Sequence, residues 1–274
     1  MQLGFFGVEY ISFANYMTRR GAIFKFKFVM HKKILIFLIC FFVFNSQAWA
    51  ALNWLSLESG LQYQVFQRTF AEAAVAIHVL KIVPHQFDIK PIVVKENTSV
   101  RSMAQSVEAL AVINANFFDT EGKILGLVVD NKNIIQRKKD ISWWSIFCVN
   151  KNGSKIIHTK NYKDGICDQA VQAGPRLVID GSVPELKEKT SRKTVVGIDS
   201  KGGVYFVVTK QAISIKELAV FMKDSVDNNG LGCLQAINMD GGSSSQMYVE
   251  GLDGVFNITG LAGVPVGLGV FRKK

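Results

Sequence analysis

The stretch INMDGGSSSQMYVEG, residues 237–251, places one carboxylate, two adjacent glycines and three serines between two apolar segments. Glycines let a backbone adopt positive φ and approach a ligand closely, and the hydroxyl and N–H groups of such a turn can hold an anion. Asp240 stands at the mouth of this turn. The turn therefore predicts either an anion site with a catalytic carboxylate, or a glycine-rich hairpin in which Asp240 only accepts backbone hydrogen bonds.

Hydrophobic patterns place this turn inside a folded domain rather than in a linker. Strands are predicted on both sides of it, over residues 233–238 and 246–249. Alternating segments and turn residues predict further strands, most of them joined as hairpins. The expected fold class is α+β: a single domain with a mixed, largely antiparallel β-sheet built from hairpins, and two main helices packed on it.

Two segments show the period of an amphipathic helix. The first helix is expected to begin at Thr98 or Ser99, and the second at Ser214, where Glu217 completes a capping box. The residues that share a core-facing stripe are Val100, Met103, Ala104 and Val107 in the first helix, and Ile215, Leu218, Ala219 and Met222 in the second.

The first fifty residues have the pattern of an export leader. A basic start precedes an apolar core over residues 34–44, and small residues follow at a cleavage site. The core is shorter than the ~20 residues that span a bilayer. Residues 1–50 are therefore expected to be leader and secretory signal peptide, with Met30 the start of translation and cleavage after Ala50. An uncleaved anchor is the alternative.

Residues 51–274 are expected to form the domain, in the periplasm or outside the cell. Residues 1–50 hold six Lys/Arg and one acidic residue, so the net charge falls from +10 for the whole chain to +5 for residues 51–274. That balance suits an anionic small substrate or a cell-envelope polymer. We expect no nucleic-acid partner, and membrane contact only through the signal segment before its cleavage.

Three cysteines, Cys148, Cys167 and Cys233, lie in this domain. In an oxidising compartment one pair is expected to form a disulfide, with Cys148 and Cys167 nearest in sequence, although sequence does not fix the pairing. Their spacing fits no zinc site. We expect no cofactor. A divalent cation at the Asn- and Asp-rich turns stays an open alternative, since hard cations bind carboxylate and carbonyl oxygens.

Five motifs in a fixed order resemble the phosphodiester glycosidase family. They are VINANFF (112–118), GLVV (126–129), QAGPRLVIDG (172–181), KTVVGID (193–199) and AINMDGGSSSQMYV (236–249). One such motif would be weak evidence, but five in order over residues 70–272 are specific. The resemblance implies hydrolysis of the sugar C1–O bond in a sugar-1-phosphodiester, such as an N-acetylglucosamine-1-phosphodiester, which gives free sugar and a phosphomonoester.

The resemblance also implies which residues form the site. Asp240 would be the catalytic or electrostatic carboxylate, and Asn114 would orient a sugar hydroxyl or a phosphate oxygen. The substrate- and phosphate-binding residues would be Gly241, Gly242, Ser243, Ser244, Arg192, Lys193, Gly174 and Asn116.

Three positions depart from the family pattern. Ser243 replaces a third glycine, and Asn116 stands where glycine or alanine is common. The family's R-T-x-x-G reads K-T-V-V-G, with Lys193 in the arginine position and Arg192 one place earlier. Neighbouring residues of a strand face opposite sides, and lysine lacks the bidentate fork of arginine. Which of the two contacts phosphate stays open.

Glycoside hydrolysis usually engages two carboxylates. Asp240 is the first. Asp119, which follows the asparagine motif, and Asp199, which follows the basic strand, are both candidates for the second. The pair Trp143-Trp144 offers one ring to stack on a sugar and one to the core, because neighbours in a strand point to opposite faces.

Two other classes of function compete with the glycosidase. A non-catalytic envelope protein could use the same cleft to bind polysaccharide or a lipid-linked sugar phosphate. A serine hydrolase could use Ser243, Ser244 or Ser245, but a nucleophilic serine needs a base within hydrogen-bond reach. No histidine is recognisably placed for that role in the sequence.

Overall fold

The computed structural model describes residues 10–19, 22–31, 54–70, 73–252 and 257–273. Contacts divide the chain into two units, Met1–Asn53 and Trp54–Lys274. In the first, β1 (Tyr10–Arg19) pairs antiparallel with β2 (Ala22–His31). The predicted apolar signal core and cleavage site lie outside the described residues. None of the helices in the described ranges has the length and apolar character needed to cross a bilayer.

The second unit is built mainly of strands. In chain order its described strands are β3 (Leu55–Glu58), β4 (Leu61–Phe70), β5 (Ala73–Ile82), β6 (Phe87–Thr98), β7 (Ala111–Asn114), β8 (Phe117–Phe118), β9 (Ile124–Leu125), β10 (Val128–Asp130), β11 (Asn133–Gln136), β12 (Ser145–Asn150), β13 (Gly153–His158), β14 (Gln169–Ala173), β15 (Arg176–Val178), β16 (Thr190–Ser191), β17 (Thr194–Asp199), β18 (Val204–Thr209), β19 (Ile213–Ser214), β20 (Cys233–Asn238), β21 (Met247–Val249) and β22 (Val264–Arg272). Its two α-helices are α1 (Val100–Val107) and α2 (Ile215–Lys223).

Three larger sheets organise these strands. Their orders are β15-β20-β17-β18-β5-β4-β3, β11-β10-β14-β12-β13 and β21-β7-β22-β6. Every strand pairing within the described ranges is antiparallel. The prediction of antiparallel hairpins is confirmed, while the single mixed sheet is replaced by several separate antiparallel ones. One buried apolar cluster takes residues from all three, among them Leu80, Val171 and Val266.

The helix predictions hold except at one end. Ser99 caps α1 through its hydroxyl, which accepts from Ser102 N at 3.1 Å, and Val100, Met103 and Ala104 are buried. Val107 was expected on the same face but is 42 % exposed. The helix ends there, since the next residue, Glu108, adopts a left-handed conformation.

The second helix follows its predicted pattern. The Ser214 hydroxyl accepts from the backbone N–H groups of Lys216 and Glu217, at 3.2 and 3.4 Å. The expected apolar face, Ile215, Leu218, Ala219 and Met222, is buried. An N-cap of this kind satisfies donors that the first helical turn leaves unpaired.

The two strands beside the glycine-rich turn belong to different sheets. Strand β20 lies in the seven-stranded sheet between β15 and β17, whereas β21 lies at the edge of the four-stranded sheet beside β7. The segment between them is therefore a crossing from one sheet to another, and the hairpin alternative is wrong. A turn in this position is held by the ends of strands from both sheets.

A disulfide joins Cys148 in β12 to Cys167, with an S–S distance of 2.06 Å. This is the pair that lies nearest in sequence, separated by 19 residues. Cys233 is a buried free thiol. The bond closes the segment that carries β13 and the 3-10 turn Thr159–Asn161.

We expect the paired change Cys148→Ser and Cys167→Ser to lower the free energy of unfolding by about 2–4 kcal/mol, because the open chain gains loop entropy in the unfolded state. Urea unfolding measures the loss. Wild-type protein that is reduced before unfolding should show the same urea midpoint as the variant. The free thiol of Cys233, present in both, should not change that midpoint. Equal midpoints for oxidised and reduced wild-type protein would contradict the expectation.

Candidate active site

The glycine-rich turn is fixed to both sheets through its backbone. Asp240 N donates to Ala115 O, just beyond β7, at 3.0 Å, and Gly242 N donates to Arg192 O, just before β17, at 2.8 Å. Gly242 has a φ of 63°, a conformation that glycine adopts without steric cost. A 3-10 turn, Gly242–Ser244, then leads toward β21.

Asn114, at the end of β7, joins the parts of this crossing. Its side-chain Nδ2 donates to Asp240 O at 2.7 Å. Its Oδ1 accepts from the Thr194 hydroxyl at 2.7 Å and from Gln246 N at 3.1 Å. The residue is fully buried, and its amide holds the turn through these three bonds.

The Asp240 carboxyl is partly buried. It accepts hydrogen bonds from Gly241 N, at 2.9 Å, and from the Ser244 hydroxyl. Burial raises the pKa of Asp240 above its ordinary value, and the Ser244 and Gly241 bonds and the positive charge of Lys189 act against that rise. Lys189 is an exposed residue of the loop before β16, and its charge is thus close enough to act on the carboxyl.

Arg192 braces the turn from outside. Its Nη2 donates to Ser245 O at 2.6 Å and to Thr259 O at 3.0 Å. Its own carbonyl receives Gly242 N. Burial lowers the pKa of Arg192 from its ordinary value. The guanidinium therefore binds main-chain carbonyls on the far side of the turn.

Lys193 is 2 % exposed. Its Nζ donates to Ser191 Oγ at 2.7 Å and to Lys189 O at 3.0 Å. Burial, followed by repulsion from Lys189, lowers the pKa of Lys193 to about 8, while Glu188 acts in the opposite direction. The ammonium thus attaches the loop that carries Lys189 to the start of β17.

Gly174 lies in a position that admits no side chain. A Cβ placed there would be 2.9 Å from Trp143 O and 3.0 Å from Trp144 Cδ1. Its carbonyl accepts from Asn238 Nδ2 at 3.2 Å, two residues before Asp240. Gly174 therefore brings the β14–β15 connection, with its cis bond to Pro175, against the approach to the turn.

Phe117, Trp143 and Trp144 form an aromatic wall beside Gly174, and Asn116 precedes Phe117 in the chain. Asn116 is 1 % exposed, and its Nδ2 donates to Leu127 O at 3.1 Å and to Leu125 O at 3.3 Å. Phe117 stacks on Trp144 with ring centroids 5.1 Å apart. Trp144 is 4 % exposed and Trp143 is 54 % exposed, so the expectation of one core ring and one outward ring is confirmed.

These contacts form a closed chain, the circuit, which begins and ends near Asp240. They run from Asp240 to Ala115, along the chain to Phe117, across to Trp144, on to Gly174, and back through Asn238. Two surface clefts of about 860 and 530 Å³ lie elsewhere, beside β6 and the end of β22, and none of the circuit residues lines them. The geometry, rather than the size of a cavity, singles out this location.

The candidate second carboxylates serve turns. Asp119 Oδ1 accepts from Lys123 N at 2.8 Å and from Glu121 N at 3.1 Å. Asp199 Oδ1 accepts from Lys201 N and Gly203 N, both at 2.8 Å. Asp199 also ends β17, whose six residues place it roughly 17 Å from the Asp240 side.

The three serines differ in exposure. Ser243 is exposed, Ser244 is 4 % exposed and Ser245 is fully buried. The Ser244 hydroxyl is held by Asp240. Ser243 therefore presents its side chain outward, whereas its two neighbours are part of the packed turn.

Lys189 is the residue that sequence reasoning missed. It lies in the run ELKEKTSRK, residues 185–193, and such alternating charges are typical of a solvated surface. The one available signal was the position of that run directly before the basic motif. Only the contact between Lys193 Nζ and Lys189 O shows that the run turns toward the site.

We expect Asn114→Ala to lower the free energy of unfolding by about 3 kcal/mol or more, since it leaves three buried partners unsatisfied at ~1 kcal/mol or more each. Asn133→Ala, at an exposed position of β11, is the matched control and should cost less than about 0.5 kcal/mol. Denaturant unfolding of wild type and of both variants measures the two losses of unfolding free energy. Equal losses in the two would show that Asn114 does not hold the crossing.

Comparison with known proteins bears on the whole domain. The family model described as phosphodiester glycosidase matches residues 108–271. No curated protein sequence matches. The zebrafish N-acetylglucosamine-1-phosphodiester alpha-N-acetylglucosaminidase catalytic domain, auto-inhibited by its pro-peptide, superposes with a TM-score of 0.66 at 16 % identity, over 80 % of this chain and 86 % of that one.

Two bacterial structures share the fold at lower similarity. A hypothetical protein from Synechocystis matches with a TM-score of 0.58 at 13 % identity, over 96 % of this chain and 68 % of that one. A Burkholderia pseudomallei protein described as exported matches with a TM-score of 0.52 at 12 % identity, over 73 % and 74 %. At these identities the structures establish the fold alone. The family match covers more than half of the chain and contains Asn114, Gly174 and Asp240, and the chain belongs to the phosphodiester glycosidase family.

Proposed function

We propose that this protein is an exported hydrolase of sugar-1-phosphodiesters. It would cleave the sugar C1–O bond of an N-acetylglucosamine-1-phosphodiester or a close analogue, and release free sugar and a phosphomonoester. The observation that carries the proposal is the Asp240 carboxyl. It lies partly buried on a glycine-rich turn between two sheets, with the positive charge of Lys189 acting on it.

Asp240 is assigned to the developing positive charge at the sugar. Cleavage of a glycosidic bond passes through an oxocarbenium-like transition state, which a nearby carboxylate stabilises. The leaving phosphate is already acidic, so strong proton donation matters less than in ordinary glycosides. A carboxyl that is partly removed from water exerts a stronger field on the sugar than an exposed one.

The phosphate group is assigned to the exposed edge of the turn and to Lys189. Glycine at 241 and 242 lets a phosphate approach the backbone closely, and Ser243 adds an outward hydroxyl. Lys189 supplies the positive charge. Lys189 is an exposed residue, whereas the Arg192 guanidinium and the Lys193 ammonium are engaged by protein groups.

The remaining residues are assigned to positioning. Asn114 holds the Asp240 carbonyl, Arg192 braces the turn, and Lys193 holds the loop that carries Lys189. Gly174 and Asn116 keep the aromatic wall against the turn. Under this assignment Trp143, the outward ring, offers an apolar face to the sugar.

A binding protein without turnover is the second candidate. It is favoured because no second carboxylate acts on Asp240: among the described residues, Lys189 is the one charged group that shifts the pKa of Asp240. Asp119 and Asp199 are both engaged in turns. A site with a single carboxyl could hold a sugar phosphate or a polysaccharide without hydrolysing it.

Export is supported by three observations. The leader has the pattern of a cleaved signal, and a disulfide joins Cys148 to Cys167, which is typical of oxidising compartments. One relative in fold is itself described as exported. A periplasmic or extracellular location would bring the protein to envelope polysaccharides and sugar phosphates.

We expect Asp240→Asn to reduce sugar release by about 1,000-fold or more, because the neutral amide cannot stabilise the oxocarbenium charge. The assay incubates purified protein with UDP-N-acetylglucosamine as a surrogate and quantifies free N-acetylglucosamine. The matched control is Asp180→Asn, at an exposed turn position with a φ of 47° that asparagine tolerates.

Three outcomes separate the candidates. Release by wild type and by Asp180→Asn, but not by Asp240→Asn, supports the glycosidase. No release, together with sugar-phosphate binding in calorimetry, supports the binding protein. Release by Asp240→Asn within a few-fold of wild type would show that this carboxyl is not the catalytic one.

We expect Lys189→Met to raise KM by about 10-fold or more, since the phosphate loses its charged partner. The same change should move the acidic limb of the pH profile. If the ionised carboxyl is the active form, activity falls as pH drops through the pKa of Asp240. Lys189 lowers that pKa, so the limb should shift upward in the variant. Lys187→Met, an exposed neighbour in the same loop, should leave KM and the limb unchanged.

A further inference from the structure

Ser191 and Lys193 form a close pair that has no proton-transfer or bond-forming step in the proposed glycosidase. Lys193 Nζ lies 2.7 Å from Ser191 Oγ. The two residues are separated by one position along the chain, where β16 passes into β17, so their side chains lie on the same side. A serine within hydrogen-bond reach of an amine has the arrangement of a nucleophile with its general base.

The pair borders the Asp240 turn. Ser191 Oγ lies 3.8 Å from the position that a Cβ on Gly241 would occupy. Ser191 is partly exposed, whereas Lys193 is buried. The hydroxyl is therefore the accessible member of the pair, and the amine is the member shielded from water.

The surroundings of Lys193 favour the neutral amine. Burial has the largest effect in lowering the pKa of Lys193, and from the loop before β16 the charge of Lys189 adds to it while that of Glu188 opposes it. From β18, Thr209 contacts the Lys193 main chain through uncharged groups. The resulting pKa of Lys193 is about 8, so a substantial fraction of the amine is free of its proton at mildly alkaline pH.

We propose that Ser191 is a nucleophile toward carboxylic esters, with Lys193 as its general base, beside the Asp240 turn that the proposed function assigns to a sugar phosphate. The substrate class is a small acyl ester, such as an acetyl group carried on a sugar hydroxyl. Lysine replaces histidine as the base in known serine hydrolase variants on other folds. The charge of Lys189 acts on both Lys193 and Asp240, and it is assigned to the oxyanion of the tetrahedral intermediate.

The reaction needs no reactant other than the ester and water. Ser191 Oγ forms a bond to the ester carbonyl carbon while its proton passes to Lys193 Nζ. The tetrahedral intermediate then breaks the C–O bond to the alcohol, which takes that proton from Lys193. Water, deprotonated by the same amine, cleaves the acyl-serine, giving the carboxylic acid and the original hydroxyl.

The test is covalent labelling of the full-length protein with a fluorophosphonate. Ser191 Oγ would form a bond to phosphorus and fluoride would leave. Mass spectrometry should locate the label on Ser191, and Ser191→Ala should lose it. Ser182→Ala, at an exposed position, is the matched control and should keep it. The labelling rate should rise roughly 100-fold from pH 6 to pH 9 and then level, because the base must first lose its proton.

Lys193→Arg distinguishes a base from a structural cation. Arginine keeps the positive charge and the donors but does not deprotonate in proteins. We expect the variant to keep its unfolding midpoint near that of wild type and to lose the label by at least 100-fold. Absence of label on folded wild-type protein, or an undiminished label in Lys193→Arg, would overturn the proposal. Sugar release from UDP-N-acetylglucosamine is measured in parallel on wild type and Ser191→Ala, so that failure of this proposal and failure of the proposed function can be told apart.

Discussion

The structure depends on one buried amide. Asn114 stands at the end of β7 in the four-stranded sheet, and its side chain binds Asp240 O, the Thr194 hydroxyl and Gln246 N. Those partners belong to the crossing segment and to the seven-stranded sheet. Because buried polar groups without partners are costly, the three bonds favour a single relative placement of the two sheets. The Asp240 carboxyl has a defined position because of that placement.

Two of the basic residues beside the turn bind protein groups. Arg192 binds carbonyls on the outer side of the turn, and Lys193 binds the loop before β16. The charge that acts on Asp240 comes from Lys189. Buried cations in such positions lose hydration, and main-chain carbonyls compensate part of the cost. Both side chains therefore hold the protein around the turn, while Lys189 stays exposed.

Much of the fold could be predicted from the sequence, because it rests on local patterns. The Ser214 cap, the buried face of α2 and the flanking strand β20 follow from residue periodicity and turn chemistry. The crossing between sheets could not be predicted, since periodicity does not say which strands pair. Alternation likewise predicts that Arg192 and Lys193 point to opposite faces of a strand, but it does not predict the hydrogen-bond partner of either side chain. Lys189 could not be predicted for the same reason, since its position beside the turn depends on a contact between residues that periodicity does not pair.

The carboxyl and the cation are carried by different parts of the domain. Asp240 is anchored to the large sheets through Ala115 and Asn114. Lys189 precedes β16, which pairs only with β19 in a two-stranded sheet of the described structure. Lys189 is joined to the start of β17 by the bond from Lys193 Nζ to its carbonyl, and not by the bonds of Asn114. A change in the loop before β16 would therefore move the cation relative to the carboxyl, whose position follows from the strands of the two large sheets.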